Sequence, residues 1–270
     1  MFERQVKIIT AGNITQVITF DRVNRKPPKI ARINATTWAN TETGENYYPQ
    51  PKESRKDIYT GLKRSMANLR NIINANTDNP ENVRWITLTY KENMTDTKKL
   101  YNDLSLYQKR LEFYCIKKGI DKPEYITAIE PQERGAWHAH SLLVWQKKAP
   151  YIPKTDLEII WRNGFAKITK TTDCDNLGAY LSAYLSDTQD EDGKTTKKGN
   201  RLNFYPPNMK FYRTSQGIKK PSIVWTTEGN ARKSISGLRK TYEATKTIII
   251  VELPTAIRYE HFNRLPEKSQ

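Results

Sequence analysis

Apolar residues recur along this chain at two periods, near two and near 3.6, and the switches between them mark out its elements. Residues 5–20 alternate loosely around Ala11-Gly12-Asn13 and predict two short strands joined by a turn. From Asn24 to about Ser54 no period holds, and Pro27, Pro28, Pro49 and Pro51 predict a loop, or an extension laid on the core. Residues 55–76 place Ile58, Leu62, Met66, Leu69 and Ile73 at steps of four and three, the spacing of one helix face. Trp85-Ile86-Thr87-Leu88-Thr89-Tyr90 is β-branched and aromatic, a buried strand. Leu100, Leu104, Tyr107, Leu111 and Tyr114 form a second helical stripe that Gly119 closes. Tyr125–Glu130, a turn over 131–135 and Trp137–Trp145 predict a hairpin. Thr155 is placed to cap a short helix through Trp161, ended by Gly164. Phe165–Thr169 reads as a strand, and Asp175 or Asn176 starts a helix to about Leu185. Strands are also predicted within Leu202–Tyr212 and over Ile248–Glu252. Strands mixed with flanking helices predict an α+β fold with a central antiparallel sheet. The chain divides into an N-terminal extension (1–53), a core (54–190) and a basic C-terminal extension packed on it (191–270). The charged stretch DTQDEDGKTTKKGN lies just past the core.

Charge changes the picture from any globular domain to one with an anionic partner. Lys and Arg number 45 against 29 Asp and Glu, a formal net charge of +16. An excess of this size favours a phosphate polymer through phosphate contacts and counterion release, although ribosomal and membrane-surface proteins share it. Fifteen Tyr, six Trp and seven Phe supply rings for stacking on unpaired bases, most of them claimed by the core. Two cysteines without a CxxC spacing argue against a disulfide scaffold or a cysteine-rich zinc site and fit a reducing compartment. No signal-peptide layout and no long apolar run is present, so the expectation is a cytoplasmic protein with no membrane partner. No P-loop pattern occurs, so a helicase would come from the host.

Candidate chemistry is concentrated in two pairs. In Trp137-His138-Ala139-His140 the histidines sit at i and i+2 on a strand, on one face and about 6–7 Å apart at the backbone. Glu130 shares strand parity with Ile126 and Ala128, so the hairpin can bring its carboxylate beside the imidazoles. Two nitrogens, a carboxylate and open positions suit a divalent ion that polarises a phosphate, Mg²⁺ or Mn²⁺ rather than structural zinc. The alternative is a pair of satisfied polar residues on a sheet. In Tyr180-Leu181-Ser182-Ala183-Tyr184 the tyrosines sit at i and i+4, neighbours on one helix face, a spacing equally suited to a core aromatic pair. A phenol needs activation, or a stabilised phosphate, before it attacks at neutral pH.

A WITLTY strand, an HxH strand about fifty residues on and a YxxxY helix about forty further, in this order, resemble the HUH endonuclease superfamily. The likeness is greatest to rolling-circle replication initiators with two tyrosines, of bacterial plasmid and phage type. It covers roughly residues 54–220, including ERGAWHAHSLLVW and GNRLNFYPPNMKFYRTSQGIKKP. The resemblance implies that His138 and His140 are metal ligands with Glu130 a third. It also implies that Tyr180 or Tyr184 attacks single-stranded or hairpin origin DNA to leave a 5′-phosphotyrosyl link and a free 3′-hydroxyl. The second tyrosine would serve a later strand transfer. Many relatives place a lysine three residues after a catalytic tyrosine, where this chain has Ala183 and Asp187. Either Lys167 or Lys170 replaces it, or one tyrosine is structural. Arg134, Arg201, Arg213, Lys219 and Lys220 are candidates for phosphate contacts, each also readable as a solvated charge. A relaxase or transposase of the same superfamily, or a non-catalytic basic single-strand-binding protein, are the other readings.

Overall fold

A computed structural model describes residues 4–21, 30–34, 36–48, 59–132, 134–169, 171, 176–179, 181, 204–206, 209–250 and 253–264. The fold is α+β, with a large antiparallel sheet flanked by helices. The hairpin read from the sequence forms at the centre of that sheet, where β7 (Glu124–Pro131) pairs with β8 (Trp137–Val144) and sets Glu130 opposite His138. β8 pairs on its other side with β6 (Val83–Tyr90), and β6 with β9 (Gly164–Thr169). A short strand, β10 (Tyr212–Thr214), lines the far edge of β7. All four pairings are antiparallel.

α1 (Tyr59–Asn74) and α2 (Thr97–Lys118) follow the apolar stripes. Met66, Leu69 and Ile73 of α1 and Leu100, Leu104, Tyr107 and Leu111 of α2 are buried in one core cluster with the central strands. Asp96 caps α2 by accepting from the Lys98 and Lys99 N–H groups, and Gly119 closes it in the left-handed region at φ 66°. α3 (Lys154–Trp161) departs from expectation at both ends. It opens after Pro153, without a capping bond from Thr155, and stops at Arg162, which takes φ 67°. Arg110 reaches across from α2 to donate to the Ile160 and Trp161 carbonyls, satisfying acceptors that the helix end leaves open. Gly164 serves another purpose: a Cβ there would lie 2.4 Å from the Thr89 carbonyl oxygen, so only glycine lets β9 start this close to β6.

Two further expectations change. The polar stretch expected to be loop holds a small meander of β3 (Ile30–Arg32), β4 (Trp38–Asn40) and β5 (Asn46–Tyr47). Asn34 and Asn40 make its turns by accepting backbone N–H groups two and three residues on. Within 202–212 only Tyr212 is strand among the described residues; Tyr205 instead ties its segment to the sheet by donating its hydroxyl to the Ile129 carbonyl at 2.7 Å.

β1 (Gln5–Ala11) and β2 (Ile14–Phe20) form the predicted N-terminal hairpin, and the end of the described chain joins them in a second sheet. Its order is β11 (Ser222–Thr227), β1, β2, β13 (Leu253–Asn263), β12 (Arg239–Ile250). One face buries Val6, Ile8, Val17 and Phe262 beneath Ala231 of α4 (Glu228–Ser234) and Ile235 just beyond it. The opposite face meets α1 at one end, where Gln16 donates to Asn71 at 2.6 Å. α1 therefore serves both sheets.

Candidate active site

Register alone assembles the candidate residues. Directly opposed residues in antiparallel strands point to one side of a sheet. Reading across β10, β7, β8, β6 and β9, one row on one face is therefore Tyr212, Ala128, His140, Thr87 and Lys167. The next row on that face is Glu130, His138, Thr89 and Phe165. The other face carries Ile129, Ala139, Leu88 and Ala166, each at most 1 % exposed, a floor that holds the strands flat beneath the histidines. Trp137 falls on that buried side, as alternation from His138 predicts, and donates its indole N–H to the Thr95 carbonyl.

His140 is held from two directions. Its Nε2 lies 3.1 Å from Glu130 Oε2, and its Nδ1 lies 3.2 Å from Thr87 Oγ1. Glu130 sits opposite His138 by register, so its carboxylate reaches diagonally to the second histidine. An ionised carboxylate only accepts, so this contact places a proton on Nε2. The His138 and His140 rings are 6.4 Å apart between centroids, and Trp85 packs 5.9 Å from the His140 ring. The His140 and Glu130 side chains keep 13 % and 15 % of their surface, enough for a small ligand to reach them.

The other candidates distribute unevenly. Lys167 is exposed and stands in line with His140 and Thr87, with Phe165, 58 % exposed, beside it. Arg134 is exposed in the hairpin turn and donates to Gln132 at 3.0 Å. Arg213 pairs with Thr127 and so faces away from the histidines, its guanidinium 3.7 Å from the centre of the Tyr101 ring. Lys219 and Lys220 are exposed on the approach to β11, where the Lys219 backbone exchanges hydrogen bonds with the Asn76 side chain. Tyr180, Tyr184, Lys170 and Arg201 lie outside the described residues. Next to the tyrosines, Asn176 accepts from the Ala179 N–H, Leu177 and Leu181 are buried, and residues 177–179 and 181 are helical. Gly178 donates to Asn74 at 2.8 Å, and a Cβ there would lie 2.3 Å from the Arg70 carbonyl oxygen, so this turn packs tightly on α1.

Sequence reasoning missed Thr87 and Tyr212. Neither type signals a site, and only the register of β6 and β10 sets them beside His140. The donors have the right chemistry for a divalent ion: two imidazoles and a carboxylate on one sheet face. Their present arrangement is closed, with Glu130 bound directly to His140, and among the described residues no three His, Cys, Asp or Glu side chains form a group that could hold a metal ion.

Fold and site together define an α+β protein whose antiparallel sheet presents two histidines, a glutamate and a threonine on one partly open face. Residues 83–189, which run from the start of β6 through both tyrosines, match a family of replication-associated proteins, that of ORF2 and the gene-2 protein. Over this stretch the chain is similar to replication proteins, which supports a role in DNA replication and DNA as its partner. No curated protein and no solved structure matches the chain. No helix among the described residues is long and apolar enough to cross a membrane.

Proposed function

We propose that this protein is a rolling-circle replication initiator that nicks and rejoins single-stranded origin DNA. The observation that carries the reading is the Glu130–His140–Thr87 chain beside His138, inside the segment similar to replication-associated proteins. His138, His140 and Glu130 would hold Mg²⁺ or Mn²⁺, for which Glu130 must trade its contact with His140 for the ion. Bound there, the ion withdraws charge from the scissile phosphate. Thr87 fixes the His140 ring so that one nitrogen stays aimed into the site. Lys167, in the same row, is placed to meet a neighbouring phosphate oxygen. The phenol oxygen of Tyr180 or Tyr184 attacks phosphorus, the bond from phosphorus to the 3′ oxygen breaks, and the phenol proton ends on the released 3′-hydroxyl. The new phosphotyrosyl ester keeps the energy of the bond it replaces, so rejoining needs no ATP. A host helicase opens the duplex.

The test is a nicking assay on single-stranded origin DNA with Mn²⁺, followed by denaturing electrophoresis. The expected product is a protein–DNA adduct that survives boiling in detergent and is lost in either Tyr180→Phe or Tyr184→Phe, or in both. No adduct on any cognate strand would leave a DNA-binding protein without this chemistry. Thr87→Val removes the orienting hydroxyl at little change in volume. We expect it to raise the Mn²⁺ concentration needed for half-maximal adduct by about tenfold, the size typical of lost outer-shell partners, as read by a metal titration.

A further inference from the structure

We propose that the terminal sheet carries a second surface for single-stranded DNA, a half-face on the α1 side with a base stacking on Trp225. Of the six tryptophans, Trp85, Trp137, Trp145 and Trp161 are at most 5 % exposed and Trp38 is partly buried, whereas Trp225 is 53 % exposed. Its ring is already stacked on Phe20, with centroids 5.6 Å apart and planes 26° from parallel. Lys7 Nζ lies 5.9 Å from the Trp225 ring centre. Register sets Trp225, Lys7, Ile18 and Tyr259 in one row across four strands, and Lys246 extends the same face through Ile257 and Phe20.

α1 reaches only the neighbouring row, at Gln16. The Trp225 row lies two residues further along the strands, about 7 Å away. Charge selects the occupant. The five strands contain two acidic residues, Glu243 and Glu260, and by alternation both point to the opposite, α4-covered face. The open half-face thus offers rings and ammonium groups with no carboxylate from these strands among them, the combination that stacks bases and neutralises phosphates. It is a different sheet from the one bearing the histidines. An initiator must manage more strand than its cleavage site holds, and this surface would hold some of that length.

The test measures binding of a fluorescein-labelled oligo(dT) in EDTA, where no metal-dependent chemistry intervenes. Binding is expected to quench intrinsic tryptophan fluorescence in the wild type and to lose most of that quenching in Trp225→Phe. Trp225→Ala is expected to weaken binding about tenfold. Lys7→Ala with Lys246→Ala is expected to flatten the slope of log K against log salt by about 1.4. Full quenching in Trp225→Phe, or wild-type affinity and salt slope in the other variants with melting temperatures intact, would overturn the proposal. So would no binding of oligo(dT) by the wild type. The outcome is separable from the catalytic reading: binding with these losses but no adduct removes only the chemistry, and adduct formation with unaffected binding removes only this surface.

Discussion

His140→Ala is expected to cut adduct formation about a hundredfold or more at fixed Mn²⁺ while leaving the protein folded. Even outer-shell partners of a metal site typically cost ten- to a hundredfold, and an imidazole in the site itself should cost at least the upper figure. His140 touches both Glu130 and Thr87, so its loss removes the group through which those two act on each other. It also releases the Glu130 carboxylate, which is partly exposed and can find water. The sheet beneath is unaffected because Ala139, Leu88 and Ile129 make the floor, and the melting temperature should stay within a few degrees. His138→Ala should behave alike. Unchanged adduct yield in the double variant, with wild-type response to Mn²⁺, would show that the histidines are packing residues and that any nicking uses other ligands.

The second large effect concerns stability. Glu260 on β13 is 1 % exposed and is surrounded by Arg232, Lys240 and Arg258, with contacts of 3.1, 2.9 and 3.3 Å. Glu260→Gln is expected to cost about 3 kcal/mol, the low end for removing one member of a buried ion pair. The low end applies because the three cations keep 40, 44 and 31 % of their side-chain surface and can turn to solvent. For a chain of this size that is a fall in melting temperature of roughly 6–12 °C. Burial alone would raise the Glu260 pKa, but hydrogen bonds from Arg232 and Lys240 carry it below the ordinary 4.5. A carboxyl lowered in the folded state contributes stability that is present above its unfolded pKa and lost as pH falls through the folded one. His261 adds an earlier limb. Burial, helped by the Arg70 charge, lowers its pKa from 6.5, so stability begins to fall once pH drops below that ordinary value. Denaturation midpoints should therefore decline from pH 6.5 downward, and His261→Gln should remove the upper part of the decline while Glu260→Gln removes the acid part.

The parts of this fold legible in the sequence are those written in local spacing. The α2 stripe, the β7–β8 hairpin and the parity that puts Trp137 under the sheet and His138 above it all follow from periods of 3.6 and 2. Where a local signal had two uses, reading failed. Gly164 resembles a helix stop, yet it is needed for the approach of β9 to Thr89, and Arg110 lets Arg162 end α3 in its place. Long-range pairing left no trace. Nothing in Ile14–Phe20 announces Leu253–Asn263 as its neighbour, and the rows that join Thr87 to His140, or Phe20 to Trp225, exist only once strands are in register. Arg213 shows the same limit: its charge suggested DNA, but β10 turns it to the far side of the sheet, onto Tyr101.

The order of strands in the terminal sheet also has a price during synthesis. The central sheet has all its strands once Thr214 has been made, whereas β2 must wait for β13, the last strand of all. Through that interval, at ribosomal rates of roughly 5–20 residues per second, the β1–β2 hairpin has no permanent neighbour on either flank. Val6, Ile8 and Val17 stay uncovered until Ala231, Ile235 and Phe262 arrive. A chain released early, before Leu253, would keep every strand of the histidine-bearing sheet and yet expose a bare apolar edge, a form inclined to aggregate and to be cleared by proteases.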